Sequence, residues 1–210
     1  MFGLILVKRV FDFIVSALGI VIFSPLLILT ALLVKVDSPG PIFFKQQRMG
    51  KEFRPFWIYK FRTMRKSLEQ GPNITIGNDP RITGIGRLLR QTKIDELPQL
   101  INILRGEMSF VGPRPEVPQY VQLYRREYQQ ILAVRPGLTD LASLKYRDEA
   151  ALLANAENPE DEYVRRILPD KIMLARDYIQ RASFFYDLRL ILETILRLVL
   201  GRMFQHTSRT

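Results

Sequence analysis

Between Phe13 and Val34 the chain runs for 22 residues without a charge, with Lys8, Arg9 and Asp12 ahead of the run and Lys35 and Asp37 behind it. That length is enough for one helix to cross a bilayer. Ser24-Pro25 lies in the middle of the run, however, and proline removes a helical hydrogen bond and clashes with the preceding turn. Each arm is then about a dozen residues, roughly 18 Å of helix, which reaches about midway into a hydrocarbon core of about 30 Å. Basic residues flank both ends, whereas a spanning helix biases its cations to one side. The pattern predicts a re-entrant helix-break-helix over residues 1–37, with both ends on one face of a membrane. A single kinked spanning helix is the alternative, since proline is tolerated in such helices. A cleavable signal peptide fits less well, because the run is longer than an h-region and no small-residue cleavage site stands out.

Beyond the run, Ser38-Pro39-Gly40-Pro41 ends helical structure. Ile42-Phe43-Phe44 and the stretch from Phe53 to Phe61 predict short strands separated by a turn at Met49-Gly50. Residues 67–80, rich in Gly, Pro and Asn, predict a loop, and residues 85–89 a short helical or extended segment. Leu97, Leu100, Ile101 and Leu104 recur at the spacing of one helix face, with Asp95 expected as its N-cap and Pro98 in its first turn. Gly106 ends that helix, and Val111-Gly112-Pro113-Arg114-Pro115 predicts a rigid loop without regular structure. Two more helical stripes follow. Tyr120, Val121, Tyr124, Tyr128, Ile131 and Leu132 make one, and Leu188, Ile191, Leu192, Ile195, Leu198 and Val199, edged by Arg189, Arg197 and Arg202, make the other. Each stripe either packs on a core or lies in a membrane interface with its long cations snorkelling.

Composition narrows the chemistry. A chain of 210 residues buries a core without staples. With no cysteine and His206 as the single histidine, thiol nucleophiles, cysteine-ligated metals, His-based metal clusters and a Ser-His-Asp triad are set aside. The 31 Lys and Arg against 21 Asp and Glu give a formal charge of +10, and residues 45–114 alone hold 14 against 6. The excess is therefore one stretch in the first half of the chain.

That stretch gathers Lys60-Phe61-Arg62-Thr63-Met64, Arg81 with Arg87 and Arg90, Asp95-Glu96, and Gly112-Pro113-Arg114-Pro115. Several cations around two acids suit a phosphate substrate, because Arg offers a bidentate fork to phosphate oxygens and Lys a point charge. A helix N-terminus adds N–H groups and a favourable dipole, which would keep Asp95 ionised. Adjacent carboxylates can hold Mg²⁺. One of them could instead attack phosphorus and split a transfer into two steps. Taken singly, Asp-Glu is a common helix cap and the arginines are common surface charges. A nucleic-acid surface would use the same charge but leaves the apolar hairpin unexplained.

Together with Lys8-Arg9-x-x-Asp12, Ser24-Pro25, Ser38-Pro39-Gly40-Pro41, Gln47-Arg48-x-Gly50, Asp95-Glu96-Leu97-Pro98-Gln99-Leu100, the run from Gly106 to Pro115, and Arg135-Pro136-Gly137-Leu138-Thr139, the chain resembles the small bacterial sugar transferases, the monotopic polyprenol-phosphate phosphoglycosyl transferases. The likeness is collinear from residue 8 to about residue 140, with a weaker echo at Asp187-Leu188. The resemblance implies an enzyme that takes a sugar 1-phosphate from a UDP-sugar, releases UMP and passes the phosphosugar to undecaprenyl phosphate. This would be the first membrane step of exopolysaccharide, O-antigen or glycoprotein-glycan assembly.

By the same likeness Asp95 is the nucleophile of a ping-pong route and Glu96 its catalytic partner, and both are expected to place Mg²⁺. Lys60, Arg62, Arg81, Arg90, Arg114 and Asp187 are expected to bind substrate, and Ser24 and Pro25 to break the hairpin. The implied architecture is α/β-like and helix-rich, with a membrane hairpin over residues 1–37 and a catalytic domain over residues 38–210. That domain carries short strands and interfacial amphipathic helices, and lies on the cytoplasmic face of the bacterial inner membrane. The length resembles the minimal form of the family. Expected partners are the two substrates and membrane lipid, with no nucleic acid; a homodimer is compatible with the pattern. One departure stands out: relatives often read Pro-Gly-Ile/Leu-Thr-Gly-x-Ala-Gln, whereas Asp140 and Ser143 here replace the glycine and the glutamine.

Overall fold

A computed structural model describes residues 2–65, 76–77 and 79–207, so the loop expected over residues 67–80 lies largely outside the described residues. Among the described residues the chain is helix-rich, with two small sheets of two strands each. Helices α1 (Phe2–Ile22) and α2 (Ser24–Asp37) meet at Phe23 and bend by 62°. The cause is Pro25, which has no N–H to give. The Val21 carbonyl that a residue-25 amide would have bonded accepts Ser24 Oγ at 2.7 Å instead, while Phe23 N–H to Gly19 O at 2.9 Å and Leu27 N–H to Phe23 O at 2.8 Å keep helical bonds on either side. Among the described residues no single helix is long and apolar enough to cross a membrane; α1 and α2 reach that length only as a bent pair.

Strands β1 (Phe43–Met49) and β2 (Pro55–Phe61) form an antiparallel hairpin with Phe43 opposite Phe61 and Met49 opposite Pro55, so β1 runs beyond the predicted Phe44. Alternation along β2 buries Phe56 and Ile58 and exposes Trp57, and Lys60 lies on the same side as the buried pair. Thr83 accepts from Gly86 N–H at 3.0 Å and starts α3 (Gly84–Thr92), which gives the predicted basic segment a helical form. Lys93, in the left-handed region at φ 60°, turns the chain into a 3₁₀ helix over Ile94–Gln99 that feeds α4 (Leu100–Arg105). Asp95 is therefore not an N-cap. It sits inside the first turn, with its carboxylate left over. Gly106 at φ 81° ends α4 as expected, and the carbonyls of Ile103 and Leu104 accept Arg9 at 2.6 and 2.8 Å.

Strand β3 (Ser109–Val111) pairs in parallel with β4 (Gly137–Thr139), so Val111 ends a strand rather than opening a loop. The two strands are followed or led by glycines at van der Waals contact: a Cβ on Gly137 would fall 2.1 Å from Gly112 N, and one on Gly112 2.5 Å from Arg135 O. The stripe from Tyr120 to Leu132 splits at Tyr124 into α5 (Pro118–Leu123) and α6 (Arg125–Ile131). It faces inward, packing with Leu153, Tyr163, Ile167, Leu168 and Ile172 in the largest core cluster. Between them and the last helix lie α7 (Leu141–Lys145), α8 (Glu149–Ala154), α9 (Pro159–Glu162), a π turn at Tyr163–Ile167 and α10 (Leu168–Arg181). The final helix α11 (Phe184–Thr207) buries Leu190 against Val111 and Tyr178 but leaves Phe185, Leu192, Ile195 and Leu196 exposed.

Candidate active site

The 3₁₀ turn after Lys93 presses Asp95 and Glu96 against β2, and both side chains are buried. Lys60, coming off β2 with the buried face of the hairpin, donates to Glu96 Oε1 at 2.7 Å. Arg114, held between Pro113 and Pro115, donates through Nη2 to the same oxygen at 2.8 Å. One carboxylate oxygen thus collects two cations from elements that are far apart in sequence.

The two acids experience this surrounding differently. For Glu96, burial opposes ionisation, but Arg114, Lys60 and Lys93 together outweigh it and hold the carboxyl well below the ordinary glutamate range. Asp95 feels the charges of Lys60, Lys93 and Arg90, but its Oδ1 is buried without a hydrogen bond among the described residues. Burial, and after it the Glu96 charge, push Asp95 up to about 6. Burial also lowers Lys60, against the pull of Glu96, whereas Arg114 is raised chiefly by the Glu96 charge. Burial and the like charge of Glu96 thus oppose the effect expected of a helix N-terminus on Asp95.

Arg90 reaches the same place from α3. Its Nε donates to Thr63 Oγ1 at 2.9 Å, its only hydrogen bond among the described residues, and the charges of Asp95, Asp79 and Glu96 act on it. Among the described residues, neither of its terminal nitrogens has a hydrogen bond. Lys60 and Arg90 act by charge on Asp95, and Arg114 joins Lys60 on the neighbouring Glu96, so cations flank a carboxylate whose Oδ1 has no hydrogen bond among the described residues, an arrangement suited to a phosphate group approaching Asp95.

Three other expected substrate contacts are committed elsewhere. Arg62 is buried and donates to Pro39 O at 3.0 Å, Ser38 O at 2.6 Å, Ser38 Oγ at 3.0 Å and Val34 O at 3.3 Å, so it ties β2 to the end of α2. Arg81 forks onto Asp79, with Nε to Oδ1 at 2.9 Å and Nη2 to Oδ2 at 2.6 Å. Asp187 accepts Lys8 Nζ at 2.6 Å and Tyr178 Oη at 2.8 Å, and Lys8 also reaches Val111 O at 2.8 Å. Asp187 thereby clasps α1, α11 and the end of β3. The sequence does not mark Tyr178 or Thr63 as site residues: Tyr178 falls in a stretch with no motif, and Thr63 is visible only as part of the Lys60-to-Met64 string.

Asp95 and Glu96 offer oxygen donors only, and among the described residues no group of three or more His, Cys, Asp or Glu stands together. Two carboxylates, one with an orphaned buried oxygen, fit Mg²⁺, which takes few protein ligands and completes its shell with substrate phosphates and water.

A family profile described as bacterial sugar transferase matches residues 4–201. The chain is 42% identical over 193 residues to the UDP-glucose:undecaprenyl-phosphate glucose-1-phosphate transferase of Caulobacter vibrioides, covering 90% of this chain and 68% of that protein. It is 40% identical over 201 residues to the exopolysaccharide production protein PSS of Rhizobium leguminosarum, covering 91% and 94%. Against the Escherichia coli protein named UDP-glucose:undecaprenyl-phosphate glucose-1-phosphate transferase the identity is 35% over 198 residues, covering 91% of this chain and 40% of that longer one. With its motifs, its buried acidic pair and a profile spanning nearly its whole length in agreement, the chain belongs to the bacterial sugar transferase family and is a phosphoglycosyl transferase.

Proposed function

We propose that this protein transfers a sugar 1-phosphate from a UDP-sugar to undecaprenyl phosphate, releasing UMP, through a phosphosugar intermediate on Asp95. The observation that carries the proposal is the asymmetry of the acidic pair: Glu96 is neutralised by Lys60 and Arg114, while Asp95 keeps a buried oxygen with no hydrogen bond among the described residues. A carboxylate so little engaged is the nucleophile of the two. Its oxygen attacks the sugar-linked phosphorus, the bond from that phosphorus to the bridging oxygen breaks, and UMP departs with the electron pair. An oxygen of undecaprenyl phosphate then attacks the same phosphorus and returns Asp95 as a carboxylate. Lys60, Arg90 and Arg114 supply the fixed positive charge that offsets the crowded phosphates. Mg²⁺, bound by Asp95 and Glu96, would add charge neutralisation at the diphosphate.

The exposed apolar faces of α1, α2 and α11 support a membrane-seated reading, in which residues 1–37 are a re-entrant anchor and residues 38–210 the catalytic domain on the cytoplasmic face. The names of the relatives favour surface-polysaccharide assembly as the setting. The direct experiment is to incubate the purified protein with Mg²⁺, undecaprenyl phosphate and a panel of UDP-sugars, and to follow UMP. At least one donor should release UMP in the wild type and none in Asp95→Asn, whose melting temperature should not fall. Turnover by the asparagine variant would mean direct transfer.

A further inference from the structure

We infer that Ser143 is a positioning residue for Arg114, holding the guanidinium so that it stays on Glu96. The inference rests on the transferase reading of the acidic pair. Arg114 is pinned at both ends of its fork: Nη2 donates to Glu96 Oε1 at 2.8 Å and Nη1 to Ser143 Oγ at 3.3 Å. Its backbone is already fixed by the flanking prolines and by the close contact of Gly112 with Gly137. The side chain, by contrast, is long and about one third exposed, and so needs a second anchor to hold one orientation. A planar fork bound at two nitrogens has its plane set, which a single contact does not do.

Ser143 is itself held in place. Its N–H donates to Asp140 Oδ1 at 2.9 Å, the N-cap bond of α7. Asp140 is buried, and its charge acts on Arg114 second only to Glu96 among the acids. Helix α7 is tied in turn to α11, because Arg197 donates to Leu144 O at 3.1 Å, and β4 just before it is tied to the same helix by the 2.6 Å hydrogen bond between Thr139 and Thr194. A relay of bonds therefore runs from α11 through Asp140 and Ser143 to Arg114 and Glu96. As charge moves onto the departing phosphate, a misaligned Arg114 costs more in the transition state than in the bound donor. The effect belongs in kcat more than in KM.

The test uses full-length protein in phospholipid-detergent micelles, with steady-state UMP release measured for whichever UDP-sugar the wild type turns over. Ser143→Ala should lose about fivefold in kcat, the scale of one modest hydrogen bond, with donor KM changed less than about twofold. Ser143→Thr, which keeps the hydroxyl, should restore most of the rate, and Ser143→Cys, similar in shape but a weak acceptor, should not. All three keep the N–H that caps on Asp140, so their melting temperatures should match the wild type. In an Arg114→Lys background, which keeps the charge but loses the fork, adding Ser143→Ala should change kcat little. Wild-type kcat in Ser143→Ala and Ser143→Cys, or an undiminished loss in the Arg114→Lys background, would overturn the inference while leaving the transferase reading intact. No UMP from the wild type with any donor would overturn both.

Discussion

Burial lifts Asp95 from the ordinary aspartate range to about 6, and the charge of Glu96 adds to the rise. Because the folded value lies above the unfolded one, folding favours the protonated form. Stability from this group is full at low pH and declines as pH climbs from about 4 through 6. Catalysis runs the other way, since only the carboxylate is a nucleophile. We expect kcat/KM for the donor to fall as pH drops through about 6, the apparent value belonging to the Asp95-Glu96 pair. A profile flat down to pH about 4.5 would mean that the free enzyme already holds Asp95 fully ionised. The sequence displayed the two acids and the cations Lys60, Arg90 and Arg114, because adjacent motifs of opposite charge can be read directly. It misled on Asp95 as a cap. The helical period of 3.6 does not hold there, since the chain winds at three residues per turn, and Lys93 in a left-handed conformation gives no signal of its own.

At the scale of elements, the hairpin helices and β1–β2 were legible because their patterns are local: an uncharged run broken by Ser24-Pro25, and strands on either side of one turn. The parallel pair β3–β4 was not, since its partners lie about 28 positions apart and each strand has only three residues. Arg62 illustrates the same limit. In sequence it is one more cation in a basic stretch, but in space it binds the carbonyls at the end of α2. Replacing it with alanine should therefore act on the joint between α2 and β2. Arg62→Ala is expected to lower unfolding stability by about 2 to 4 kcal/mol, as several hydrogen bonds to a buried charge are lost. Thermal melting checks this, and donor KM should hardly move; a raised KM with an unchanged melting temperature would return Arg62 to the substrate site.

For the whole molecule, the charged residues at the start of α1 are the link between the bent helix pair and the rest of the fold. Lys8 reaches Val111 O, Arg9 caps α4, and Asp12 Oδ1 accepts Phe110 N–H at 3.1 Å. On the proposed re-entrant reading, Lys8 and Arg9 at one end of the bent pair and Lys35 at the other would lie on one membrane face. In this cysteine-free chain, single cysteines at Gly3 and Lys35 should be labelled by an impermeant reagent from the same side of sealed vesicles. Labelling from opposite sides would establish a spanning helix. The central claim, covalent transfer through Asp95, is tested most directly without any acceptor. Wild-type protein mixed with its UDP-sugar and Mg²⁺ but no undecaprenyl phosphate should release UMP in a burst limited to about one equivalent, and mass spectrometry of rapidly quenched protein should find the phosphosugar on the peptide containing Asp95. Absence of both burst and adduct, with UMP appearing only once undecaprenyl phosphate is added, would contradict it.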